Sequence, residues 1–220
     1  TVTAPISRVN DFVVRFANVN GSGSASANEM FARAVMRMGV PVAPRNIFPS
    51  NIQGLPTWYE VRITEDNHLG ARGGIDLMVA MNPQTFDKDI ASIEPGGYLF
   101  YDSTKQLPAS RFRSDITVIG VPLTAICNRE YTDPRQRQLF KNIIYIGALT
   151  ALLDMDVKAV EQLKHVAWGA IHREKFWITP RGLFDELVRT AEALVDRQAG
   201  AEERRRLRLQ HACDGTTHED

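Results

Sequence analysis

The sequence is short of cysteine: Cys127 and Cys213 are its only two. Two thiolates cannot hold a four-cysteine iron–sulfur cluster or a four-cysteine zinc site. So few thiols in 220 residues point to a reducing, cytoplasmic setting rather than to a disulfide framework. Cys127 lies in the apolar stretch from Pro122 and reads as a small buried hydrophobe. Neither sign of charge is in excess, because 26 Lys and Arg balance 26 Asp and Glu. That balance argues against a nucleic-acid partner, which usually requires a basic surplus. No uncharged apolar run approaches the ~20 residues that span a bilayer, so no membrane partner is expected. Thr1 to Asn10 carries one Arg and no apolar core of a secretory leader. There is no G-x-S-x-G nucleophile elbow and no H-E-x-x-H zinc motif. His211, Cys213 and His218 lack zinc-site spacing. No internal repeat is visible. No catalytic or metal-ligating residue is therefore assigned.

What is present is an alternation of apolar strands and amphipathic helices. Asp11 to Asn18 reads as a buried strand. Gly21-Ser-Gly-Ser-Ala-Ser26 then forms a tight turn, and Ser26-Ala-Asn-Glu29 has the pattern of a capping box that starts a helix. Met30, Phe31, Ala34, Val35 and Met38 make one apolar face, which Gly39 ends. Val40 to Phe48 is extended, and its prolines, Pro41 and Pro44, keep it irregular or at an edge. Thr57 to Thr64 alternates as a half-buried strand, and Asp76 to Met81 is apolar as a central parallel strand would be. A short helix is expected from Asn82-Pro83 to Ile93. Strands follow at Tyr98 to Tyr101 and Asp115 to Val121, with a turn at Pro95-Gly-Gly97 between helix and strand. Arg135 to Leu153, Val157 to about Trp168 and Arg181 to Gln198 read as helices, the last extended by Ala201 to Ala212. The pattern predicts an α/β fold, a mainly parallel twisted sheet flanked by helices, with a helical C-terminal extension. Residues 1–168 form the α/β domain. Residues 169–220 form a helical tail whose last residues are disordered.

The turn Gly21-x-Gly23-x-x-Ser26 sits between first strand and first helix, where α/β folds bind phosphates. A dinucleotide site also needs a carboxylate after the second strand, and Arg45 to Pro49 offers none. Arg45 could only receive a 2′-phosphate. The other readings stay open: a turn that needs glycine for its backbone, or a loop that touches a phosphate-bearing ligand or a partner chain.

Five segments in order resemble one family. They are Val14-Arg-Phe-Ala-Asn-Val-Asn-Gly-Ser-Gly-Ser-Ala-Ser-Ala-Asn28, Asn46-Ile-Phe-Pro-Ser-Asn-Ile-Gln-Gly-Leu-Pro-Thr-Trp-Tyr-Glu-Val-Arg62, Asp76-Leu-Met-Val-Ala-Met-Asn-Pro83, Pro95-Gly-Gly-Tyr-Leu-Phe-Tyr-Asp-Ser103 and Lys141-Asn-Ile-Ile-Tyr-Ile-Gly-Ala-Leu149. Together, over roughly residues 10–165, they resemble the gamma domain of 2-oxoacid:ferredoxin oxidoreductases, which opens the α subunit of the two-subunit enzymes. The nearest likeness is to enzymes that act on 2-oxoglutarate. The resemblance implies a role in oxidative decarboxylation, in which CoA captures the acyl group and ferredoxin takes the electrons. The whole complex would use thiamine diphosphate, Mg²⁺ and a [4Fe–4S] cluster, none of them bound by this chain alone. The expected partners are the thiamine-binding domains or β subunit and, through the complex, ferredoxin.

The same resemblance points to residues that face CoA, substrate or a subunit: Gly21, Ser22, Gly23 and Ser24 in the turn, Ser50, Asn51, Gln53 and Gly54 in the following loop, and Arg62. Arg62 could pair with a carboxylate or a CoA phosphate, and reads more readily as a solvated side chain. Asn82, Asp102 and Ser103 follow predicted strands, where open α/β sheets bind ligands. Asn142 is expected to cap its helix or tie a neighbouring loop. Trp58 and Tyr59 lie on opposite strand faces, one toward the core and the other toward a subunit. Arg204-Arg-Arg206 and Arg208 read as a solvated helix end. Gly169 to Asp220 matches nothing in the family pattern. The alternative functions are a free-standing nucleotide-binding module and a structural interaction subunit.

Overall fold

Phe12, Val14 and Phe16 are fully buried alternate residues, and Val13 and Ala17 on the opposite face are buried as well. A strand with no wet face belongs at the centre of a sheet covered on both sides. The computed structural model describes residues 3–49, 52–68, 70–163 and 206–211, with single positions at 189 and 193. It places this strand, β2 (Asp11–Val19), after a two-residue β1 (Arg8–Val9). There follow α1 (Ser24–Arg37), β3 (Val42–Ile47), β4 (Pro56–Thr64), β5 (Ile75–Ala80), α2 (Phe86–Ala91), β6 (Ile93–Asp102), β7 (Thr117–Val121), α3 (Leu123–Glu130), α4 (Pro134–Leu152), α5 (Val157–Glu161) and β8 (Leu207–Arg208).

The six-stranded sheet has the order β3-β4-β2-β5-β6-β7. The pairs β2–β5, β5–β6 and β6–β7 are parallel, and β4 is antiparallel to both β2 and β3. The chain turns to one side of β2 for β3 and β4, then crosses to its other side for β5. The strand order therefore reverses at β2, and this is where such sheets open a crevice at their carboxyl ends. One face packs on α1, α3, α4 and α5, through residues such as Phe16, Phe31, Ile126 and Leu149. The other face, with Ala17, Met78 and Leu99, packs on α2 through Phe86 and Ile90.

The mainly parallel α/β architecture matches the expectation, and several local readings are corrected. The helix α1 begins at Ser24, two residues before the expected cap at Ser26. Gly23, at φ 76°, holds the cap position with no side-chain bond. The left-handed turn lets the helix start as soon as the backbone allows it, so Glu29 instead pairs with Arg33 one turn on, at 2.6 Å. The helix after Asn82-Pro83 starts only at Phe86. Pro95-Gly-Gly97 lies inside β6, where the register against β5 shifts, rather than forming a turn before it. The short helix α3 was not anticipated. Cys127 within it is buried, as expected, and burial pushes its thiol up to about 11.

β4 does not keep the half-buried alternation its sequence suggests, because its polar residues are buried in pairs. Glu60 accepts from Arg15 Nε at 2.9 Å and from Arg45 Nη2 at 2.9 Å, its neighbours across both flanking strands. Tyr59 is buried, and Trp58 packs on the opposite cluster with its Nε1 donating to Asp89 at 2.8 Å. Both aromatics thus pack within the chain.

Near the C-terminus, Leu207 and Arg208 form a strand rather than the expected helix extension. β8 runs parallel to β1, in register Arg8 with Leu207 and Val9 with Arg208. Leu207 and Leu209 alternate into the main core, and Leu209 N donates to Leu153 O at 2.8 Å. Asn10 brackets Gln210, donating to its carbonyl at 3.1 Å and accepting from its amide at 3.0 Å. The expected helix over 181–198 and the disordered terminus fall outside the described residues, apart from positions 189 and 193. Leu209→Ala is predicted to cost about 2–5 kcal/mol of stability, measured by urea unfolding. An unchanged midpoint would mean that the strap does not seal the core.

Candidate functional site

The turn after β2 is built by bonds that consume its own backbone. Gly21 and Gly23 both adopt positive φ, 80° and 76°, which an L side chain adopts only under strain. Ser22 N donates to Val19 O at 3.2 Å. The loop between β3 and β4 is stapled to this turn: Asn20 N donates to Leu55 O at 2.8 Å, and Gly54 N to Asn20 O at 2.9 Å. Asn142, at the start of α4's buried face, reaches across to Ser22 O at 2.9 Å. This is the loop-tying role expected of it.

Beneath the turn lies a buried polar chain. Tyr145 OH donates to Asn28 Oδ1 at 2.8 Å, and Asn28 Nδ2 donates to Asn18 Oδ1 at 3.0 Å. Asn82 Nδ2 donates to Asn18 O at 3.3 Å. All four residues are at most 2% exposed. Burial pushes the Tyr145 hydroxyl far above its ordinary value, so it stays a neutral donor.

A cleft of about 640 Å³ opens above these groups, at the carboxyl ends of β2, β5 and β6. On one side are Gly21, Ser22, Gln53 and Gly54; on the other are Asp102, Lys105, Arg111 and Lys141, with Phe86 and Tyr101 on the wall. Phe86, Tyr101 and Phe112 pack as an aromatic cluster with centroids 5.4–6.2 Å apart. Arg111 lies over the Phe86 ring at 5.1 Å. Burial raises the Asp102 carboxyl, but donation from Thr104 and Thr124, with Lys141 nearby, outweighs this and holds it below the usual carboxylate range. Thr104 Oγ1 is 2.6 Å away, Lys141 Nζ is 3.7 Å away, and the Thr124 hydroxyl also donates to it.

The structure thus gathers Gly21, Ser22, Gln53 and Gly54 at one cleft. Gly23 and Ser24 line a smaller neighbouring pocket of about 370 Å³. Ser50 and Asn51 lie outside the described residues. Arg62 is elsewhere: it faces Val13 across the sheet, six residues and roughly 20 Å down the strand from Val19. It is 8% exposed, pairs with Asp11 and donates to Ile63 O at 2.5 Å. The expected pairing with a carboxylate is met by Asp11, and the solvated reading does not describe it. Arg45, tied to Glu60, is no free phosphate receptor. Asp102 reaches the cleft, whereas Ser103 does not line it. Sequence reasoning missed Lys105, Arg111 and the aromatic wall, which carry no motif. The one available signal was their position just after β6. Among the described residues no three His, Cys, Asp or Glu side chains converge, and Cys127 is a buried thiol. These residues do not fit a metal or an iron–sulfur cluster.

The family model described as pyruvate ferredoxin/flavodoxin oxidoreductase matches residues 13–169. The 2-oxoglutarate synthase subunit KorC of Archaeoglobus fulgidus is 26% identical over 150 residues, covering 67% of this chain and 74% of that protein. The 2-oxoglutarate oxidoreductase subunit KorA of Mycobacterium tuberculosis is 22% identical over 151 residues, or 66% of this chain and 22% of that one. Solved structures that share the fold include two oxidoreductases. The 2-oxoglutarate:ferredoxin oxidoreductase of Magnetococcus marinus, with 2-oxoglutarate, coenzyme A and succinyl-CoA bound, has a TM-score of 0.73 at 21% identity, over 92% of this chain and 33% of that one. The gamma subunit of a keto/oxoacid ferredoxin oxidoreductase from Geobacter sulfurreducens has a TM-score of 0.58 at 21% identity, over 86% and 98%. The chain therefore spans a third of the Magnetococcus polypeptide and nearly all of the Geobacter subunit.

Two predictions concern this site. A Cβ at Gly21 falls 2.6 Å from Gln53 Cγ, whereas at Gly23 the nearest atom, Asn142 Nδ2, is 3.6 Å away. Gly23→Ala should cost about 1 kcal/mol for its left-handed backbone, and Gly21→Ala more. Adding Gln53→Ala should recover part of the Gly21→Ala loss in thermal unfolding, and strict additivity would refute the contact. The second prediction follows from the lowered Asp102 carboxyl. Its stabilising contribution is complete above the ordinary carboxylate value and is lost as pH falls through the lowered one. Asp102→Asn should therefore be less stable than the parent at neutral pH, and urea titrations should show the gap closing on acidification.

Proposed function

The chain belongs to the pyruvate ferredoxin/flavodoxin oxidoreductase family, and on that premise we propose that it is the gamma-type subunit or domain of a 2-oxoacid:ferredoxin oxidoreductase. The 2-oxoacid is 2-oxoglutarate. In that reaction the acid loses CO₂, CoA receives the succinyl group, and two electrons pass to ferredoxin. This chain supplies neither the thiamine site nor the cluster. Those belong to partner domains in the same reducing, cytoplasmic complex. Its own part is to form one wall of the channel by which CoA reaches the reaction centre.

The observation that carries this reading is the carboxyl-end cleft, set between the Gly21–Ser22 turn with its stapled Gln53–Gly54 loop and the segment after β6, in a chain of this family. The size suits the reading, because ligand clefts typically measure about 300–1,000 Å³. Beside it, Phe48, Ile52 and Leu55 expose 48%, 65% and 38% of their surface. Apolar side chains exposed next to a site suit a protein neighbour more than water. A partner seated there would close the cleft from above. Gln53 and Gly54 would then face both CoA and the partner.

The test is a native pull-down of this chain from its source, followed by a viologen-reduction assay on the eluate. Reduction should require both 2-oxoglutarate and CoA, with thiamine-bearing and iron–sulfur chains co-eluting. A chain that elutes alone, without thiamine or activity, would sink the proposal.

A further inference from the structure

Among the described residues, one face of the sheet is only half covered by helix. The helix α2 packs over β5 and β6, while α1, α3, α4 and α5 lie on the opposite face. The β3–β4–β2 half therefore shows its own side chains. Register places Ile47, Trp58 and Ala17 in one row across it, and Arg45, Glu60 and Arg15 in the next row on the same face. An antiparallel half-sheet can face water, but a water-facing surface ordinarily intersperses both signs of charge. This one sorts them by depth. The Glu60 side chain is 8% exposed, and the two arginines that bond it, Arg15 and Arg45, are 25% and 55% exposed. Asp89 is buried as well, accepting from Trp58 Nε1 at 2.8 Å and from Thr85 Oγ1 at 2.6 Å. Its neighbour Lys88 is exposed and lies 5.0 Å over the Trp58 ring. The exposed acids nearby are engaged elsewhere: Asp87 accepts from Arg111 Nε at 3.1 Å, and Asp11, farther along the face, pairs with Arg8 and Arg62.

The surface presented outward is a half-buried indole among three cations. Trp and Arg are the residue types that anchor protein interfaces. Each arginine spends part of its guanidinium on Glu60 and keeps further donors. We propose that the β3–β4–β2 half of this face, centred on Trp58 with Arg15, Arg45 and Lys88 around it, is a docking surface for a protein partner that presents carboxylates around an apolar side chain. The apolar side chain covers the indole, and the carboxylates meet the cations in charge-assisted bonds. A nucleic acid would call for a larger basic surplus, in a chain whose formal net charge is zero. The surface is separate from the large cleft, which none of these four side chains lines. It borders the exposed Phe48, which directly follows Ile47. The proposal rests on the functional reading above only in expecting the partner to be a chain of the same complex.

The experiment captures the full chain natively with its partners and treats the complex with a carbodiimide. That reagent joins an amine to a carboxylate in direct contact, forming an amide and taking up the water released. Lys88 Nζ is expected to be linked to an Asp or Glu of a co-eluting chain, located by mass spectrometry. Lys88→Arg should keep the partner and lose the link. Arg45→Glu combined with Lys88→Glu, checked by thermal unfolding, should lower the co-eluting partner about tenfold or more, and added salt should act in the same direction. If the double variant does not fold, Lys88→Glu alone, at an exposed helix position, carries the charge test. If thiamine-bearing chains co-elute equally with parent and charge-reversed chain and Lys88 links to nothing, the docking surface is overturned while the functional reading stands. A link in the parent with undiminished partner on the reversed chain also overturns it, because charge then does not hold the partner. If Lys88 links to an acidic chain without thiamine and charge reversal releases that chain, the docking surface stands and the functional reading falls. If the chain elutes alone, both fall.

Discussion

Asn18 is the residue on which the upper half of the protein depends. It stands near the end of the central strand, 2% exposed, and its carboxamide has no access to water. An amide buried without partners costs about 1–3 kcal/mol per unmet group. The partners are supplied from separate elements. Asn28 comes from the helix that follows, Tyr145 reaches in from α4 through Asn28, and Asn82 arrives from the end of β5. Asn28 meets the Asn18 side chain and Asn82 its main-chain carbonyl, so one residue ties three segments to one another. The floor of the cleft is consequently rigid before any ligand arrives, and rigidity of this kind lowers the ordering cost of binding.

Above that floor the two positive-φ glycines let the chain reverse in a few residues, and Asn20 and Asn142 tie the turn to the loop after β3 and to α4.

Much of the architecture was legible from periodicity. β2, β5 and β6 announce themselves as apolar runs, Gly39 stops α1 as its backbone freedom suggests, and Pro41 and Pro44 place β3 at the edge. Failures came where a local rule met a stronger constraint. Ser26 looked like a helix cap, but the left-handed Gly23 started the helix first. Glu60 and Arg62 looked like the wet face of β4, but each found an opposite charge on a neighbouring strand and went inside. Leu207-Arg-Leu209 looked like the tail of an Arg-rich helix; its period-two leucines only declare a strand once β1 is present to pair with. Lys105 and Arg111 could not be found by motif, because the segment after β6 becomes a cleft wall only when the sheet order reverses at β2. Ser50 and Asn51, drawn from the resemblance, still rest on it alone.

The pairing of β1 with β8 has a consequence for how this unit is joined to others. Arg8 and Leu207 are register neighbours, though almost the whole sequence lies between them. Residues 8–9 and 207–208 therefore share one spot on the fold. Any domain continuing from either side is leashed there, and both leashes pull on the same short ribbon. Tension between two attached domains would be carried by the Asn10–Gln210 bracket and the leucines beneath it, while the sheet and the cleft at its far end remain unloaded. Such a unit can be spliced into a longer chain as a cassette, or rejoined end to end and reopened elsewhere, with its ligand-facing side left in place.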